Sequence, residues 1–546
     1  QLDNSLRVEL GEPVEAIRAV SYDDAVADAD FGRKTAASLN AIDAKTLDHD
    51  HWLTYRTLQF RASNDSASQQ YFWLEQRATP YAGGLQLSET TQIFTGFTFS
   101  SERDASRYVA LLHQYAAYVR SLRSFLEGQH ARRIILPVSE IDATQALFEG
   151  YAASGALSPL LLSGARLGRL SPPERSALTS SVATIISSEL RPAFLSVASY
   201  LKGAYRANAP SGVGLSQYPG GAQYYAFLIR YYTTLSVSAA DLHASGLRQV
   251  DTVNRKLDAV RREAHFSGNL AAFKHFLATD KRFFAKNAPE IGDRLEVYVQ
   301  RSASQVPRYF ARTPTSPYGV AQLPAALAKG QTFGYYSPAT SARNKGIYFY
   351  NASAPAQASI LGAGALICHE LIPGHHFQIA LQQENSALPK VRHYDFTETG
   401  FVEGWGEYAS QLCWDMGVYQ TPYDRAGRLM QDLMVSTRLV VDTGMNAMGW
   451  SRARAMQYMR DNLTLSEPQI ETESLRYSTD IPGQALAYKT GELTMLGLRA
   501  HAQKELGKSF DMRTFHGWLI DSGAMTLDTL RQHVQYEIDV QKRSNV

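Results

Sequence analysis

Apolar residues recur at helical spacing along most of the chain. In the stretch 399–416, for example, Ala409, Leu412, Cys413 and Met416 fall at positions i, i+3, i+4 and i+7 and form one helical face. The same spacing predicts further helices over 105–126, 173–201, 242–264, 423–445, 452–461, 482–506 and 526–542. One short run of aromatic and β-branched residues, 346–351, predicts a strand instead. The pattern therefore predicts a mainly α fold with a small β element.

Some of these predicted helices carry residue types that favour helix ends. Ser238 stands three residues before Asp241 and resembles a capping box, with Asp in place of the usual Glu. Pro482 suits the first turn of a helix, because the N–H that proline lacks would have no partner there. Gly507 suits the position just after a last turn.

Composition excludes several classes of protein. Apolar residues make up 45% of the 546 positions and charged residues 19%, which is typical of a globular protein. The formal net charge of +2 gives no basis for a nucleic-acid or polybasic membrane surface. The longest apolar run, 359–371, is too short to span a bilayer and contains His369 and Glu370. We therefore expect no nucleic acid partner and no integral membrane segment, and the oligomeric state stays open.

The two cysteines and the first residue bear on the cellular compartment. Cys368 and Cys413 both lie in apolar helical patterns, which favours buried free thiols over a disulfide framework or a cysteine zinc cluster. The sequence starts at Gln1, so we expect that an N-terminal segment has been removed. A periplasmic or secreted location is our expectation, and the cytoplasm stays open as the alternative.

The most specific chemical signal is the stretch 368–378, with the sequence CHELIPGHHFQ. It begins like the zinc-peptidase motif H-E-x-x-H, in which two histidines four apart share one helical face. Here His375 follows His369 by six positions. A straight helix rotates by roughly 240° and rises by about 9 Å over six residues, so the two side chains would point apart. His376 would return to the same face, but about 10.5 Å farther along the axis.

Either the match is accidental or the helix is deformed. Pro373 removes an N–H and clashes with the preceding turn, and Gly374 tolerates unusual backbone angles. Such insertions are accommodated as helix bulges, often at functional sites. We therefore predict a bulged helix that brings His375 beside His369, with an acid from a neighbouring helix as the third metal ligand.

The segment 401–408, FVEGWGEY, offers that acid. It resembles the N-E-G-F-x-E-Y segment of aminopeptidase N relatives. The resemblance implies that Glu403 binds zinc and that Glu407 orients a ligand histidine from behind.

A wider resemblance covers roughly residues 210 to 500. The pattern H-E-x-x-P-G-H-x-x-Q, completed here by Gln378, is typical of a bacterial family that resembles the gluzincin metallopeptidases. More distantly it is similar to angiotensin-converting enzyme, neurolysin and carboxypeptidase Taq. This implies a large two-lobed helical body with a deep central cleft and a small β element next to the active-site helix. We expect one metallopeptidase-like domain over 1–546, with a helical N-terminal part, 1–210, and a catalytic part, 211–546.

The catalytic roles follow from the motif and the resemblance. Glu370 is predicted to be the general base, because its helix is apolar around it. An oxyanion needs a second donor, and the resemblance implies Tyr488 first and Tyr477 second. Gln378 is expected to support the site by hydrogen bonding, and His376 to be structural or to lie behind the ligands.

Substrate contacts are assigned with an alternative for each. Arg476 and Lys489 could bind a substrate carboxylate, or they are solvated helix charges. The strand end at Tyr350 and Asn351 could pair with an extended peptide, or it is an ordinary hairpin edge. Where the family resemblance implies a histidine, this chain has Asn446, and an arginine expected near position 435 is absent. Such departures would alter specificity or rate if these side chains touch the substrate.

The predicted function is hydrolysis of peptide bonds in short peptides by a hydrolase with one bound zinc ion. Two alternatives stay open: a zinc amidase that acts on a non-peptide amide, and a catalytically silent binding protein on the same scaffold.

Overall fold

The computed structural model describes residues 4–99, 101–168, 170–323, 334–340, 343–394 and 397–544. The mainly α prediction is confirmed. The longer helices are Tyr22–Asn40, His49–Tyr71, Ala82–Thr95, Glu102–Ala131, Val138–Ala152, Pro172–Ile185, Arg191–Tyr200, Gly221–Thr233, Ala239–Glu263, Leu270–Thr279, Ala288–Tyr309, Ala363–Glu370, His375–Glu384, Thr399–Asp415, Pro422–Ala447, Arg452–Asn462, Glu467–Leu475, Leu486–Leu506, Met512–Ile520 and Leu527–Ser544. Short helices are Asn4–Leu10, Ser154–Leu157, Ala204–Ala207 and Lys390–His393. Within the described residues no helix is long and apolar enough to cross a membrane.

The chain divides into two compact units. The first unit comprises 1–37, 62–224 and 478–482, and the second comprises 38–61, 225–477 and 483–546. Each has its own apolar core: that of the first is built around the helix Glu102–Ala131, and that of the second around the segment that carries the HExxPGH motif. Every residue assigned to the metal site lies in the second unit. The single-domain organisation and the cleft stay predictions.

Within the part of the chain that the structure describes, the β element is a sheet of three short strands in the second unit. The strands are β1 (Tyr318–Gln322), β2 (Tyr335–Ser337) and β3 (Gly346–Tyr350), in the spatial order β1-β3-β2. β3 pairs with β1 in parallel and with β2 in antiparallel orientation. The predicted strand is therefore confirmed as β3, and it occupies the centre of the sheet.

Helix ends show where local sequence was informative and where it was not. Ser238 caps its helix by accepting a hydrogen bond from the Asp241 amide, as predicted. Gly507 follows the helix Leu486–Leu506 with a φ of 52°. The prediction for Pro482 is wrong, because that helix begins only at Leu486. Gly483, with a φ of 84°, makes a turn before it that few other residues could adopt.

Three helices of the second unit carry the motif residues. We call them the first motif helix (Ala363–Glu370), the second motif helix (His375–Glu384) and the acid helix (Thr399–Asp415). Their apolar side chains form part of one core, in which Ile367, Phe377 and Trp405 are almost fully buried. Burial at about 25 cal/mol per Å² of apolar surface is what holds such helices together.

A disulfide joins the first motif helix to the acid helix. Cys368 and Cys413 are both fully buried and bonded to each other, with their Cα atoms 6.4 Å apart. The predicted burial is confirmed, and the predicted free thiols are wrong. The two residues are 45 positions apart, and only the packing of the two helices brings them together.

Candidate active site

The motif segment is two helices with a sharp turn between them. The first motif helix ends at Glu370, the Ile372–Pro373 peptide bond is cis, and the second motif helix begins at His375. The predicted continuous helix with a bulge is therefore wrong. Its consequence is confirmed, because the rings of His369 and His375 lie 4.6 Å apart between centroids and nearly perpendicular.

Two contacts hold this turn. Gly374 passes so close to the end of the first motif helix that a Cβ atom would overlap the backbone carbonyl of His369. Trp405, on the acid helix, donates its indole N–H to the carbonyl oxygens of Pro373 at 2.9 Å and Gly374 at 3.2 Å. A buried carbonyl without a partner costs about 1–3 kcal/mol, so the tryptophan stabilises the turn as well as filling the core.

The acid helix also approaches closely because it lacks side chains where it meets its neighbours. A Cβ on Gly406 would lie 2.7 Å from the imidazole of His369. Gly404 on the acid helix meets Gly491 on the helix Leu486–Leu506, and a Cβ on either would overlap the backbone of the other. These glycines allow the acid helix to bring Glu403 beside the histidines.

Three side chains converge as a candidate metal site. Glu403 Oε2 lies 3.4 Å from His369 Nε2 and 3.5 Å from His375 Nε2. All three ligand atoms are within 4.8 Å of one another. Zinc bonds of about 2.0–2.1 Å in a tetrahedron place neighbouring donors roughly 3.3–3.4 Å apart. The donor set and its spacing therefore fit a zinc ion.

A buried network of charges stands behind His369. Its other ring nitrogen, Nδ1, lies 3.2 Å from Glu407 Oε1, as expected of a carboxylate that orients a ligand histidine. Arg428 lies 3.2 Å from the second oxygen of Glu407 and donates to Glu492 at 2.9 Å. Gln431 donates to Glu407 at 2.8 Å. The predicted place of Glu407 agrees with this geometry, whereas the sequence reasoning missed Arg428 and Gln431.

The carboxylates make this site favour positive charge. Burial disfavours a charged His369, but its close contacts with Glu403 and Glu407 prevail and raise its pKa to about 10. Burial also raises the pKa of both carboxyls, and here too the histidine contacts prevail. They lower the pKa of Glu407 to about 2 and that of Glu403 well below its usual range. A cation at the imidazole nitrogens is what such a pair of carboxylates stabilises.

Glu370, the predicted general base, lies next to the ligands and against the sheet. Burial raises its pKa above the ordinary glutamate value, and His369 and His375 counteract that effect. The backbone amide of Tyr336, on β2, also bonds to this carboxylate. A glutamate with a raised pKa beside a metal site is suited to accept and return a proton.

His376 and Gln378 face away from the cluster. His376 is fully buried, its Nδ1 lies 3.0 Å from the hydroxyl of Tyr336, and it packs on Tyr318. Burial lowers its pKa to about 4, so it is neutral at pH 7. Gln378 donates to Gln382 at 2.8 Å and so contacts the following turn of its own helix. His376 is therefore structural, and Gln378 supports the second motif helix from within.

The two tyrosines differ in what surrounds their hydroxyls. Tyr477 is almost fully buried, and its hydroxyl accepts from Arg438 Nε at 2.7 Å and donates to Glu473. Tyr488 is half-buried, its hydroxyl accepts from Gln484 at 3.5 Å, and its ring lies 6.2 Å from that of His369. The guanidinium of Arg438 lies 5.0 Å from the Tyr488 ring centre. Arg438 comes one turn after Val435, and sequence reasoning missed it.

Several predicted substrate contacts are corrected. Lys489 is buried, and its ammonium is taken by Asp432 and by Glu492 at 2.7 Å, so it does not face solvent. Asn446 is also buried and donates to the carbonyl of Tyr477 at 2.9 Å. Arg476 is nine-tenths buried and donates to Gln484 at 2.9 Å.

The predicted peptide-pairing strand is also corrected. Tyr350 ends β3, which already has a neighbour on each side, so its backbone cannot take an added strand. The side chain of Asn351 accepts from the amide of Ser353 at 2.9 Å. Among the described residues β2 has β3 as its one neighbour, which makes β2 an edge.

Comparison with known proteins gives the family. Residues 6–534 match the family described as "Bacterial protein of unknown function (DUF885)". The chain belongs to the DUF885 family. No curated protein matches this DUF885 chain.

Two solved bacterial structures resemble the DUF885 protein in fold. One, from Colwellia psychrerythraea, is described as a "putative lipoprotein"; its TM-score is 0.88 at 23% identity, over 98% of this chain and 96% of that chain. Another, from Shewanella oneidensis, is described as a "putative lipoprotein of unknown function"; its TM-score is 0.72 at 17% identity, over 97% and 96% of the two chains. Identities this low show a shared fold and nothing about activity.

Proposed function

We propose that this DUF885 protein is a zinc-dependent peptidase of the gluzincin type that hydrolyses peptide bonds in short peptides. The observation that carries the proposal is the convergence of His369 Nε2 and His375 Nε2 on one oxygen of Glu403, at 3.4 and 3.5 Å. Glu370 follows the first of these ligands directly in sequence. Metal ligands and a glutamate base are the parts that metal-assisted amide hydrolysis requires.

His369, His375 and Glu403 would hold the ion. When bound, zinc supplies Lewis-acid polarisation and a water of lowered pKa. Glu407 fixes the His369 ring through Nδ1, and the buried charge of Arg428 in turn fixes Glu407.

Glu370 moves the proton in this mechanism. It accepts a proton from the attacking water and returns it to the nitrogen of the leaving amine as the peptide bond breaks. Its raised pKa favours both halves of this transfer, because the carboxyl is neither too weak a base nor too weak an acid. General acid–base catalysis of this kind contributes about 10²- to 10⁴-fold.

Tyr488 is the better candidate for the oxyanion donor. Its ring is stacked nearly parallel to that of His369 at 6.2 Å, and it is less buried than Tyr477, whose hydroxyl contacts Arg438 and Glu473 in the core. We propose that the substrate backbone runs alongside β2, because among the described residues β2 is a sheet edge and its Tyr336 amide bonds to Glu370, so this edge lies beside the proposed base.

An envelope or secreted location accompanies this proposal. The two relatives of similar fold are described as "putative lipoprotein". The disulfide between Cys368 and Cys413 is of a kind that persists in oxidising compartments.

The test compares purified wild type with Glu370→Gln on a panel of short peptides, with cleavage followed by mass spectrometry and zinc measured in the same samples. We expect cleavage by the wild type and a loss of about 10²- to 10⁴-fold in the variant, with zinc retained. Glu471→Gln, a surface change on the helix Glu467–Leu475, is the matched control and should cleave normally.

Other outcomes separate the alternatives. Hydrolysis confined to non-peptide amides, and lost in Glu370→Gln, would support the amidase. Peptide binding without cleavage of any peptide or amide would support the binding protein. Cleavage that is unchanged in Glu370→Gln would overturn the mechanism.

A further inference from the structure

A second cluster of ligand-type side chains lies in the same unit, on helices that carry none of the residues described above. His49 starts the helix His49–Tyr71, and His533 and Glu537 stand one turn apart on the helix Leu527–Ser544. One ligand atom from each lies within 4.8 Å of those from the other two. We propose that His49, His533 and Glu537 form a second binding site for a divalent transition-metal ion such as zinc.

The two imidazoles already aim at one point. His49 Nε2 and His533 Nδ1 are 2.7 Å apart, so one ring donates its N–H to the lone pair of the other. An ion between them needs the nitrogens roughly 3.3 Å apart, as in a tetrahedral zinc site. Binding therefore replaces one proton by the ion and opens this pair by about half an ångström.

The carboxylate completes the set. Glu537 Oε1 lies 3.9 Å from His533 Nδ1. Glu537 is only partly buried, so a change of rotamer can bring it inward by the remaining distance. Two imidazole nitrogens and one carboxylate oxygen select zinc, nickel or copper over magnesium and calcium, which prefer oxygen ligands.

Neighbouring side chains hold the first ring in place. The ring of His49 is stacked on that of Tyr536 at 3.7 Å and on that of Trp52 at 5.6 Å. His533 is almost fully buried. A site whose imidazoles are already fixed loses little conformational entropy when it binds an ion. A hydrogen-bonded histidine pair with a purely structural role is the competing explanation.

The local charge also favours a cation. The negative charge of Asp50 acts to raise the pKa of both His49 and Glu537. A guanidinium nitrogen of Arg392 lies 3.8 Å from the Asp50 carboxylate. With Glu537 these groups sum to one net negative charge around two neutral imidazoles. His49 and Glu537 are only partly buried, so an ion can reach this site from solution.

Such an ion would join distant parts of the chain. His49 and His533 are 484 positions apart, so the ion would tie an early helix to the last one. A ligand that binds only the folded state raises stability by mass action. The second site is therefore expected to stabilise the fold, independently of the proposed peptidase activity.

The experiment counts zinc ions bound to full-length protein that has been stripped with a chelator and titrated calorimetrically. We expect two ions per chain in the wild type and one in His49→Gln/Glu537→Gln. His375→Asn/Glu403→Gln should also bind one, and the chain with all four changes none. His51→Gln is the matched control, because His51 lies on the same helix and pairs with Asp48 at the surface; it should bind two.

Two further measurements locate the ion and guard against misfolding. Crystals soaked in zinc should show an anomalous scattering peak between His49, His533 and Glu537. In the His375→Asn/Glu403→Gln background, zinc should raise the unfolding temperature, and Glu537→Gln, a partly exposed change, should remove that rise.

The outcomes separate this proposal from the peptidase. A wild type that binds one ion, lost in His375→Asn/Glu403→Gln, overturns the second site alone. A wild type that binds one ion, lost in His49→Gln/Glu537→Gln, supports the second site and overturns the zinc peptidase.

Discussion

The cluster of His369, His375 and Glu403 and the cluster of His49, His533 and Glu537 contain the same residue types. In the first, the imidazoles face a carboxylate oxygen at 3.4 and 3.5 Å; in the second, they face each other at 2.7 Å. The first is backed by a buried carboxylate and arginine, and a disulfide joins two of its helices. The second is backed mainly by stacked aromatic rings. The support around the ligands, more than the ligands themselves, distinguishes the proposed catalytic site from the second cluster.

The largest expected effect comes from removing one ligand of the first cluster. His375→Ala should abolish peptide cleavage and lower zinc affinity by more than the roughly 100-fold that loss of an outer partner causes. His376→Gln, the neighbouring change, should keep its zinc, because His376 packs under the sheet. Zinc content by elemental analysis checks both. Zinc loss from His376→Gln alone would reverse our assignment.

The turn between the motif helices supplies the next test. Gly374→Ala places a methyl group against the carbonyl of His369, so we expect a loss of about 3 kcal/mol in unfolding free energy, together with the zinc. Gly497→Ala is the matched control. Nothing lies within 4 Å of a Cβ there, and Ala in an exposed helix should add up to about 1 kcal/mol. Denaturant unfolding measures both, and equal effects would contradict the role given to the turn.

The buried carboxylate behind His369 should matter less than the ligands. Glu407→Gln keeps the shape of the side chain and removes its charge, and zinc affinity should fall by about 10- to 100-fold. Glu492→Gln changes the same network without touching His369, so its effect on zinc should be smaller. Competition with a fluorescent chelator gives both affinities. A larger loss of zinc affinity in Glu492→Gln than in Glu407→Gln would show that the network does not act through its contact with the His369 imidazole.

The smallest expected effect is on how the free energy of unfolding depends on pH, measured in chelator-treated protein, where the two clusters should differ in sign. Burial lowers the pKa of His533 to about 3, so the folded state binds fewer protons there than the unfolded chain. This contribution to stability is complete above about pH 6.5 and is lost as pH falls toward 3. His369, with its pKa raised to about 10, has the opposite sign, and its contribution is lost as pH rises through 10.

Denaturant unfolding midpoints at about pH 7 and about pH 5 test whether His533 makes the protein less stable as pH falls. The midpoint of His533→Gln should fall less between these two values than that of the wild type. An equal fall in both proteins would contradict a neutral buried His533.

Part of the first cluster could be predicted because His369, Glu370 and His375 lie within one short stretch. Glu403 lies on another helix, and the resemblance of 401–408 to aminopeptidase N relatives assigned it as the ligand in preference to Glu407, one helical turn later. The helix from Thr399 followed from its periodicity, and the strand β3 followed from its aromatic and β-branched residues. The break of the motif segment into two helices was not predicted, since Pro373 and Gly374 suit either a bulge or a break, and the Trp405 indole that bonds to their carbonyls comes from another helix.

The second cluster and the disulfide could not be predicted in the same way. His533 and Glu537 have the spacing of one helical turn, which was an available signal, but their partner is 484 positions away. Lys489 was assigned to substrate because its sequence neighbours do not reveal Asp432, which takes its charge in the core. Long-range packing decides which of many charged residues are buried, and no local pattern encodes it.

The bond between Cys368 and Cys413 has a practical consequence for anyone who produces this protein. Expression in a reducing cytosol would yield a chain that lacks the link beside His369, and its mass would differ from that of the oxidised chain by only two hydrogen atoms. Preparations of apparently equal purity could then contain two species with different zinc content and thermal behaviour. Export to an oxidising compartment, or oxidation before metal loading, gives a uniform starting material for every experiment above.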